Sequence, residues 1–242
     1  MNLIKVNNYE ELSQKASEII IKKIQDNPSF NLGLATGSTP EGMYRKLVED
    51  HQNGGTSYKN VKTFNLDEYV GIPEDDPNSY HYFMNQHLLG HIDIEKSNTH
   101  IPNGNQMSDL QRECEEYEKL IDQSGGIDLQ VLGLGVNGHV GFNEPGTPFE
   151  SPTHIVELTQ DTREANARFF NSLEEVPTHA VTMGISTIMK SKEIILLVSG
   201  AQKAHALSRL LNGEITEECP VTVLGKHPNV TIIADRAALG EE

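Results

Sequence analysis

The sequence predicts an α/β protein built on a mostly parallel, doubly wound (Rossmann-like) sheet with helices on both faces. Short apolar runs recur along the chain, and stretches of helical periodicity lie between them. This alternation is typical of parallel strands joined by crossover helices. The 242 residues contain no linker rich in proline, glycine or serine and no internal repeat, so we expect a single domain over residues 1–242.

The predicted strands are the short apolar runs that are bounded by turn-forming or polar residues. Such runs are typical of strands that are buried on both faces of a sheet. They lie at residues 31–35, 61–66, 129–134, 154–158, 180–183, 194–198 and 230–234.

Helical periodicity is clearest over residues 9–24, and Asn8 with Glu11 matches a capping box at the start of that helix. The apolar residues that share one face of it are Leu12, Ala16, Ile19, Ile20 and Ile24. Further helices are predicted at residues 41–49, 80–88, 109–121 and 201–210.

Charge and composition exclude several classes of protein. The formal net charge of -16 argues against a protein that grips a nucleic-acid backbone or an anionic membrane, because both need clustered Lys and Arg. No run approaches the ~18 apolar residues of a membrane-spanning helix, and no signal peptide is recognisable, so we expect a cytoplasmic protein. Cys114 and Cys219 lie far apart, which predicts reduced thiols rather than a disulfide framework or thiolate metal site.

In sheets of this kind, ligands bind beyond the carboxyl ends of the strands. Chemistry is therefore expected in the loops after Ala35, Leu66, Leu134 and Val198. All four of these loops carry unusual sequences.

The loop after the first predicted strand has the features of an anion site. Thr36, Gly37, Ser38 and Thr39 precede Pro40 and a predicted helix, so hydroxyls and free backbone N–H groups meet at a helix N-terminus. The equally weighted alternative is that Ser38 or Thr39 serves only as an N-cap. The loop is not a P-loop, because no Gly-Lys-Ser/Thr follows it. Lys203, in the loop after Val198, would add a cation at the same sheet edge, although a lone lysine is more often a solvated surface residue.

The second loop delivers a carboxylate. Asp67 follows the predicted strand 61–66 directly, at the position from which α/β enzymes present acids and bases. A carboxylate that removes a proton from carbon must be partly desolvated to be basic near neutral pH. Taken alone, however, Asp67 fits a turn-capping role better.

The third loop, residues 135–146, is rich in glycine and contains a histidine. His139 is followed five residues later by Glu144, whose carboxylate is placed to orient the imidazole for acid–base work. A structural histidine beside an exposed Glu fits the spacing slightly better. A dinucleotide site is disfavoured because an acidic ribose partner is missing, and a metal site because no other His or Cys lies at ligand spacing.

Four motifs in this order resemble the glucosamine-6-phosphate deaminases. They are Leu-Ala-Thr-Gly-Ser-Thr-Pro, Phe-Asn-Leu-Asp-Glu-Tyr-Val-Gly, Gly-Val-Asn-Gly-His-Val-Gly-Phe-Asn-Glu-Pro-Gly and Ser-Gly-Ala-Gln-Lys-Ala. The resemblance runs from about residue 33 to residue 234. It implies the conversion of glucosamine 6-phosphate and water into fructose 6-phosphate and ammonium, without a cofactor or metal.

The resemblance also implies a role for each site residue. His139, oriented by Glu144 and Asn137, would move the proton that opens the pyranose ring. Asp67 would take the C2 proton and return it at C1, after which the imine is hydrolysed. The residues that match the family's phosphate ligands are Thr36, Gly37, Ser38, Thr39, Arg168 and Lys203.

Two departures from the family pattern matter. Many relatives have Asp where this chain has Asn137, so the histidine here lacks a second carboxylate. Hexameric, allosterically activated relatives carry basic residues around residues 147–156 and a C-terminal extension with a tyrosine, which this sequence lacks. We therefore expect no activation by N-acetylglucosamine 6-phosphate, and a monomer or small homo-oligomer rather than an allosteric hexamer.

Two alternatives remain. A 6-phosphogluconolactonase resembles this fold and uses a Gly-His turn, but it hydrolyses an ester and has no need of Asp67 as a carbon base. A non-catalytic sugar-phosphate sensor would carry an appended basic helix-turn-helix, which is not recognisable in this acidic chain. The polar stretch 159–176 around Arg168 is the candidate lid over a phosphate substrate.

Overall fold

The computed structural model describes residues 1–105, 109–167 and 170–241, and over these ranges the strands form one parallel and one antiparallel sheet. The strands are β1 (Asn2–Val6), β2 (Asn31–Leu34), β3 (Lys62–Asn65), β4 (Asp67–Tyr69), β5 (Thr99–His100), β6 (Leu129–Gly133), β7 (His154–Glu157), β8 (His179–Thr182), β9 (Glu193–Val198) and β10 (Val230–Asp235). The order across the parallel sheet is β1-β10-β9-β6-β2-β3-β5. The predicted fold class is confirmed.

The strand order places a topological switch at the centre of the parallel sheet. From β2 the chain proceeds to β3 and β5 on one side, whereas β6 pairs with the other side of β2 and leads towards β9 and β10. The loops that leave β2 and β6 therefore diverge and open a crevice at the carboxyl edge, where ligands bind in such sheets. The strands β9, β6, β2 and β3, whose loops were singled out in the sequence, are direct neighbours.

Helices cover both faces of the parallel sheet because successive strand residues point in opposite directions. They are α1 (Tyr9–Asp26), α2 (Ser38–Gln52), α3 (Tyr80–His87), α4 (Leu110–Gln123), α5 (Gln160–Asn166), α6 (Ile185–Met189) and α7 (Ala204–Leu211). In β9, for example, Leu197 packs into the cluster that includes apolar residues of α1, α2 and α3, whereas Leu196 packs into the one that includes residues of α4, α6 and α7. Both leucines are fully buried. In the described part of the chain, no helix is both long enough and apolar enough to cross a membrane.

The antiparallel sheet was not predicted. The strands 154–158 and 180–183 were predicted within a mostly parallel sheet, but β8 pairs antiparallel with β7 on one side and with β4 on the other, in the order β4-β8-β7. Short apolar runs do not reveal their partners, and in the described part of the connection between these two strands the α-helix is α5, which is only 7 residues long. The consequence is that β4, predicted as a turn, is a strand whose first residue is Asp67.

Other differences are local. β1 was not predicted, although it pairs with β10 along its whole length. The Asn8 side chain accepts the Glu11 N–H at 3.0 Å as predicted, but the Glu11 carboxylate accepts the N–H of Asn7 rather than that of Asn8. The last predicted helix is divided into a 3₁₀ turn, Ala201–Lys203, followed by α7.

Candidate active site

The loop after β2 leaves a helix N-terminus open at the crevice. Gly37 is the N-cap of α2 and has φ +98°, and no side chain in the described part of the chain caps that end. The alternative that Ser38 or Thr39 is an N-cap is therefore wrong, since both lie in the first turn of the helix. The uncapped N–H groups and the positive end of the helix dipole favour an anion here.

A tyrosine from α1 supports this loop from behind. The Tyr9 hydroxyl donates to the Ser38 carbonyl and accepts the N–H of Gly42, both at 2.8 Å. These bonds lock the first turn of α2 without using its outward-facing donors. The loop is thus held in a conformation that leaves the uncapped N–H groups of α2 free.

Asp67 lies at the carboxyl end of β3, where the chain moves into the antiparallel sheet. It pairs with Thr182 of β8 and is only 5 % exposed. Among the residues that the structure describes, none donates a hydrogen bond to its carboxylate. Burial, with a smaller contribution from the neighbouring Glu68 charge, raises the pKa of Asp67 from 3.8 to about 8.

Glu68, the next residue, is buried in a contrasting environment. Its carboxylate accepts the backbone N–H groups of Tyr69, Tyr80 and His81 at 2.8–3.0 Å. It also contacts the His81 Nδ1 at 2.7 Å. Glu68 therefore joins β4 to the first turn of α3, whereas no residue in the described part of the chain donates to Asp67. Of two adjacent buried acids, Asp67 is the one that is free to accept a proton from a ligand.

His139 is held by Asn137 rather than directly by Glu144. The Asn137 Oδ1 lies 2.7 Å from the His139 Nδ1 and accepts the His139 N–H at 3.1 Å. The Asn137 Nδ2 donates to the Glu144 Oε2 at 2.8 Å. The Glu144 Oε2 itself lies 3.6 Å from the His139 Nδ1, beyond hydrogen-bond distance.

This network assigns the proton of the imidazole. Because Asn137 donates its amide protons to Glu144, its oxygen faces His139 and only accepts, so the His139 Nδ1 carries the hydrogen. The Nε2 then has a free lone pair. Burial and the Lys203 charge lower the pKa of His139, while the Glu144 charge raises it, and burial contributes most. The neutral ring with a free Nε2 is a general base.

Close packing explains two glycines of the turn. A Cβ on Gly135 would lie 2.2 Å from the His139 Nδ1. At Gly141, which has φ +58°, a Cβ would lie 3.2 Å from the Asp67 Oδ2 and 3.1 Å from the Thr182 Oγ1. The turn that carries His139 therefore also passes directly over Asp67. The structure brings these two groups into one site.

Aromatic side chains form one wall of the site. The Tyr80 and Phe142 rings are stacked with centroids 6.2 Å apart, and Tyr69 lies against both. The Tyr80 hydroxyl forms hydrogen bonds with Thr36 and Tyr69 and is close enough to feel the Asp67 charge, and its burial raises its pKa well above 10. Tyr80 was missed in the sequence, where its only signal was a place in the first turn of a helix.

Lys203 lies at the same end of the sheet, in the turn that precedes α7. Its charge acts on His139, and partial burial lowers the pKa of Lys203 itself. Asp235, at the end of β10, holds the start of this loop by accepting from the Ser199 hydroxyl at 2.6 Å and from the Gly200 N–H at 3.2 Å. The other predicted cation, Arg168, lies outside the described residues.

Metal ligands do not cluster at this site. Over the part of the chain that the structure describes, no group of three or more His, Cys, Asp or Glu side chains is placed to hold a metal ion. Within the described residues, the site combines two groups that are able to exchange protons, Asp67 and His139, with the Lys203 cation and an uncapped helix N-terminus.

A Rossmann-like sheet with paired acid–base groups and an anion loop at its switch point defines an acid–base site for small anionic ligands. The chain belongs to the glucosamine-6-phosphate isomerase/6-phosphogluconolactonase family, whose model matches residues 6–233. It is 59 % identical over 239 residues to a glucosamine-6-phosphate deaminase of Geobacillus sp. (strain WCH70), covering 99 % of this chain and 95 % of the relative.

Solved structures show the same fold. A monomeric glucosamine-6-phosphate deaminase superposes with a TM-score of 0.96 at 51 % identity, with all of both chains covered. A 6-phosphogluconolactonase from Trypanosoma cruzi superposes with a TM-score of 0.81 at 22 % identity, over 99 % of this chain and 96 % of that one. The second likeness concerns the fold alone.

Proposed function

We propose that the protein is a glucosamine-6-phosphate deaminase, which converts glucosamine 6-phosphate and water into fructose 6-phosphate and ammonium. The observation that carries this proposal is the environment of Asp67. It is a buried carboxylate with no hydrogen-bond donor among the described residues and a pKa raised to about 8, beside the turn that bears His139. The 51–59 % identity to deaminases over nearly the whole chain supports the same reaction.

His139 carries out ring opening in this proposal. Its Nε2 takes the proton from the hydroxyl on C1 as the bond between C1 and the ring oxygen breaks, and the imidazolium then passes this proton to the ring oxygen. Asn137 fixes the ring orientation and Glu144 stabilises the imidazolium that forms. In relatives with Asp at position 137, that residue offers only acceptors when ionised, whereas the Asn137 amide both accepts from His139 and donates to Glu144.

Asp67 carries out the isomerisation. Its charged form removes the proton on C2 of the open-chain sugar, and the same carboxyl returns the proton to C1. The aldose thereby becomes a ketose imine, which water hydrolyses to the ketone and ammonium. A desolvated carboxylate is basic enough for this step.

The substrate phosphate binds at the start of α2. Thr36, Gly37, Ser38 and Thr39 supply hydroxyls and backbone N–H groups, and Lys203 supplies a charge. Arg168 is the further proposed ligand, since a guanidinium grips phosphate with two parallel bonds. We expect Lys203→Gln to raise KM for glucosamine 6-phosphate with a smaller effect on kcat.

The alternative activity is tested by direct assay. The family includes 6-phosphogluconolactonases, and one of known structure shares this fold at 22 % identity. Purified protein should release ammonium from glucosamine 6-phosphate and leave 6-phosphogluconolactone hydrolysis at its background rate. Lactone hydrolysis without ammonium release would overturn the proposal. Binding of glucosamine 6-phosphate with neither reaction would favour a sensor.

The proposed enzyme is cytoplasmic, acts on a small molecule, and is a monomer or small homo-oligomer. A relative of 51 % identity is described as monomeric. The segment 147–156 supports the absence of a hexameric effector site, because it contains Phe149, Glu150 and His154 rather than a basic cluster.

A further inference from the structure

The catalytic carboxylate Glu144 has a partner on each of its two oxygens. The Oε2 accepts from Asn137 and faces His139, as described above. The Oε1 accepts from the Thr162 hydroxyl at 2.8 Å. Thr162 lies in α5, 18 residues further along the chain, and outside the four motifs that carry the family resemblance.

The position of Thr162 is itself fixed. Thr159 is the N-cap of α5, where its Oγ1 accepts the Thr162 N–H at 3.2 Å and donates to the Thr162 Oγ1 at 2.9 Å. Since the Thr162 oxygen receives that proton, its own hydrogen points to Glu144. The χ1 angle of threonine is also restricted because its side chain is β-branched, so the hydroxyl keeps this direction.

The helix that carries Thr162 is anchored on its other side. The Arg163 guanidinium donates to the carbonyl groups of Leu173 and Val176 at 3.0 and 3.3 Å. Phe170 packs edge-on against Tyr69 in the aromatic wall. The elements on both sides of the hydroxyl are thus tied to the site.

Glu144, Asn137 and His139 form the ring-opening relay of the proposed function. We propose that Thr162 is a positioning residue for this relay, because the hydrogen-bonded chain from Thr159 to Thr162 to Glu144 fixes the carboxylate. A carboxylate held by only one oxygen can rotate about its last bond. With both oxygens held, Glu144 keeps its charge 3.6 Å from the His139 Nδ1, where it stabilises the imidazolium without displacing Asn137. The placement of α5 thereby determines whether the relay is aligned. This inference rests on the proposed function, because ring opening is what gives the relay its role. The contact between Thr162 and Glu144 itself does not depend on that function.

The test compares Thr162→Val, which keeps the shape and removes the hydroxyl, with Thr162→Ser, which keeps the hydroxyl. Loss of a hydrogen bond to a charged group should lower kcat for ammonium release roughly 10- to 100-fold in the valine variant, with little change in KM. The serine variant should regain most of that loss. Gln160→Ala is the matched control, because the Gln160 side chain bonds only with Glu164 on the exposed side of α5 in the described structure, and it should behave as wild type.

A second readout does not depend on activity. Among the residues that the structure describes, the charged groups that act on His139 are Glu144 and Lys203. Glu144 without its Thr162 partner is free to turn towards the imidazole. The His139 pKa, followed by NMR titration, should therefore rise in Thr162→Val and stay at the wild-type value in Thr162→Ser and Gln160→Ala.

Two outcomes would overturn the positioning role of Thr162, and a third would separate it from the proposed function. An unchanged His139 titration together with wild-type kcat in Thr162→Val would overturn the positioning role. Equal losses in the valine and serine variants with a lowered Tm would assign Thr162 a purely structural role and overturn it as well. If wild type released no ammonium but the His139 shift appeared only in Thr162→Val, the proposed function would fail while the positioning role stood.

Discussion

At the scale of single residues, chemistry depends on which atoms lack a partner. Asp67 and Glu68 are adjacent, buried and chemically similar, yet Glu68 accepts three backbone N–H groups and no described residue donates to Asp67. The sequence identifies both acids but does not reveal this difference. It arises because β4 turns one side chain towards the first turn of α3 and the other towards the crevice.

Gly141 offers a direct test of how closely the histidine turn approaches Asp67. Gly141→Ala would place a methyl group 3.2 Å from the Asp67 Oδ2 and should lower kcat roughly tenfold or more by displacing the carboxylate. Gly146→Ala is the matched control, since Gly146 also has positive φ but no atom lies within 4 Å of its would-be Cβ. Equal kinetic effects of the two changes would show that backbone strain, not the contact, is responsible.

The raised pKa of Asp67 also predicts a pH-dependent stability. Because the folded-state pKa is about 8 and the ordinary value is 3.8, the contribution of Asp67 to stability is fully present below about pH 4 and is lost as pH rises to about 8. Asp67→Asn has no carboxyl group to ionise, so the variant does not lose stability in this pH range. The variant should therefore gain in Tm over wild type between pH 4 and pH 8 and keep a constant gain above, at roughly 2–4 °C per kcal/mol. Thermal unfolding curves measure this, and a gain that shrinks with rising pH would contradict it.

At the scale of elements, the site residues lie where strands end and helices begin, and the sheet determines where these ends lie. Strands β2, β3, β6 and β9 were predicted to within two residues at each end, because buried strands in parallel sheets are continuous apolar runs. The pairing of β7 and β8 with β4 was not predicted, since apolar runs do not encode partners. Similarly, α5 has no strong apolar periodicity, and the contact of Thr162 with Glu144 depends on long-range packing.

The segment 159–176 is proposed to close over the phosphorylated substrate. Within its described part, α5 is capped by Thr159 and tied by Arg163 to backbone carbonyls, and Phe170 reaches the aromatic wall. Amide hydrogen exchange in α5 should slow when glucosamine 6-phosphate or fructose 6-phosphate is added, because a closed lid protects these N–H groups. The amides of residues 20–26, at the end of α1 away from Tyr9, serve as the internal reference. Unchanged exchange in α5 at saturating ligand would argue against closure.

At the scale of the whole molecule, the parallel sheet gathers residues that are far apart in the chain. Thr36, Asp67, His139 and Lys203 follow four different strands of the parallel sheet, and in the sequence each of them alone fits an ordinary structural role. Their common place at the carboxyl ends of neighbouring strands was predictable from the topology of α/β sheets. The bridging role of Asn137 and the wall formed by Tyr80 were not, because they depend on side-chain orientation and on a helix that lacks any motif.

The segment 147–156 bears on the assembly and regulation of the molecule. The protein should elute and scatter light as a monomer or small oligomer, and N-acetylglucosamine 6-phosphate should leave its kinetics hyperbolic and unchanged. The reason is the acidic and apolar character of residues 147–156, which lack the cations that a phosphorylated effector needs. Sigmoidal kinetics that the effector abolishes would contradict this expectation.

Asp67 is the proposed base that moves the proton from C2 to C1. The most direct test measures solvent-hydrogen exchange at C2 of glucosamine 6-phosphate in wild type and in Asp67→Asn, together with ammonium release. Wild type should catalyse both, whereas Asp67→Asn should lose both while it still binds the sugar phosphate. Near-normal exchange at C2 in Asp67→Asn would show that another group is the carbon base and would contradict the role proposed for Asp67.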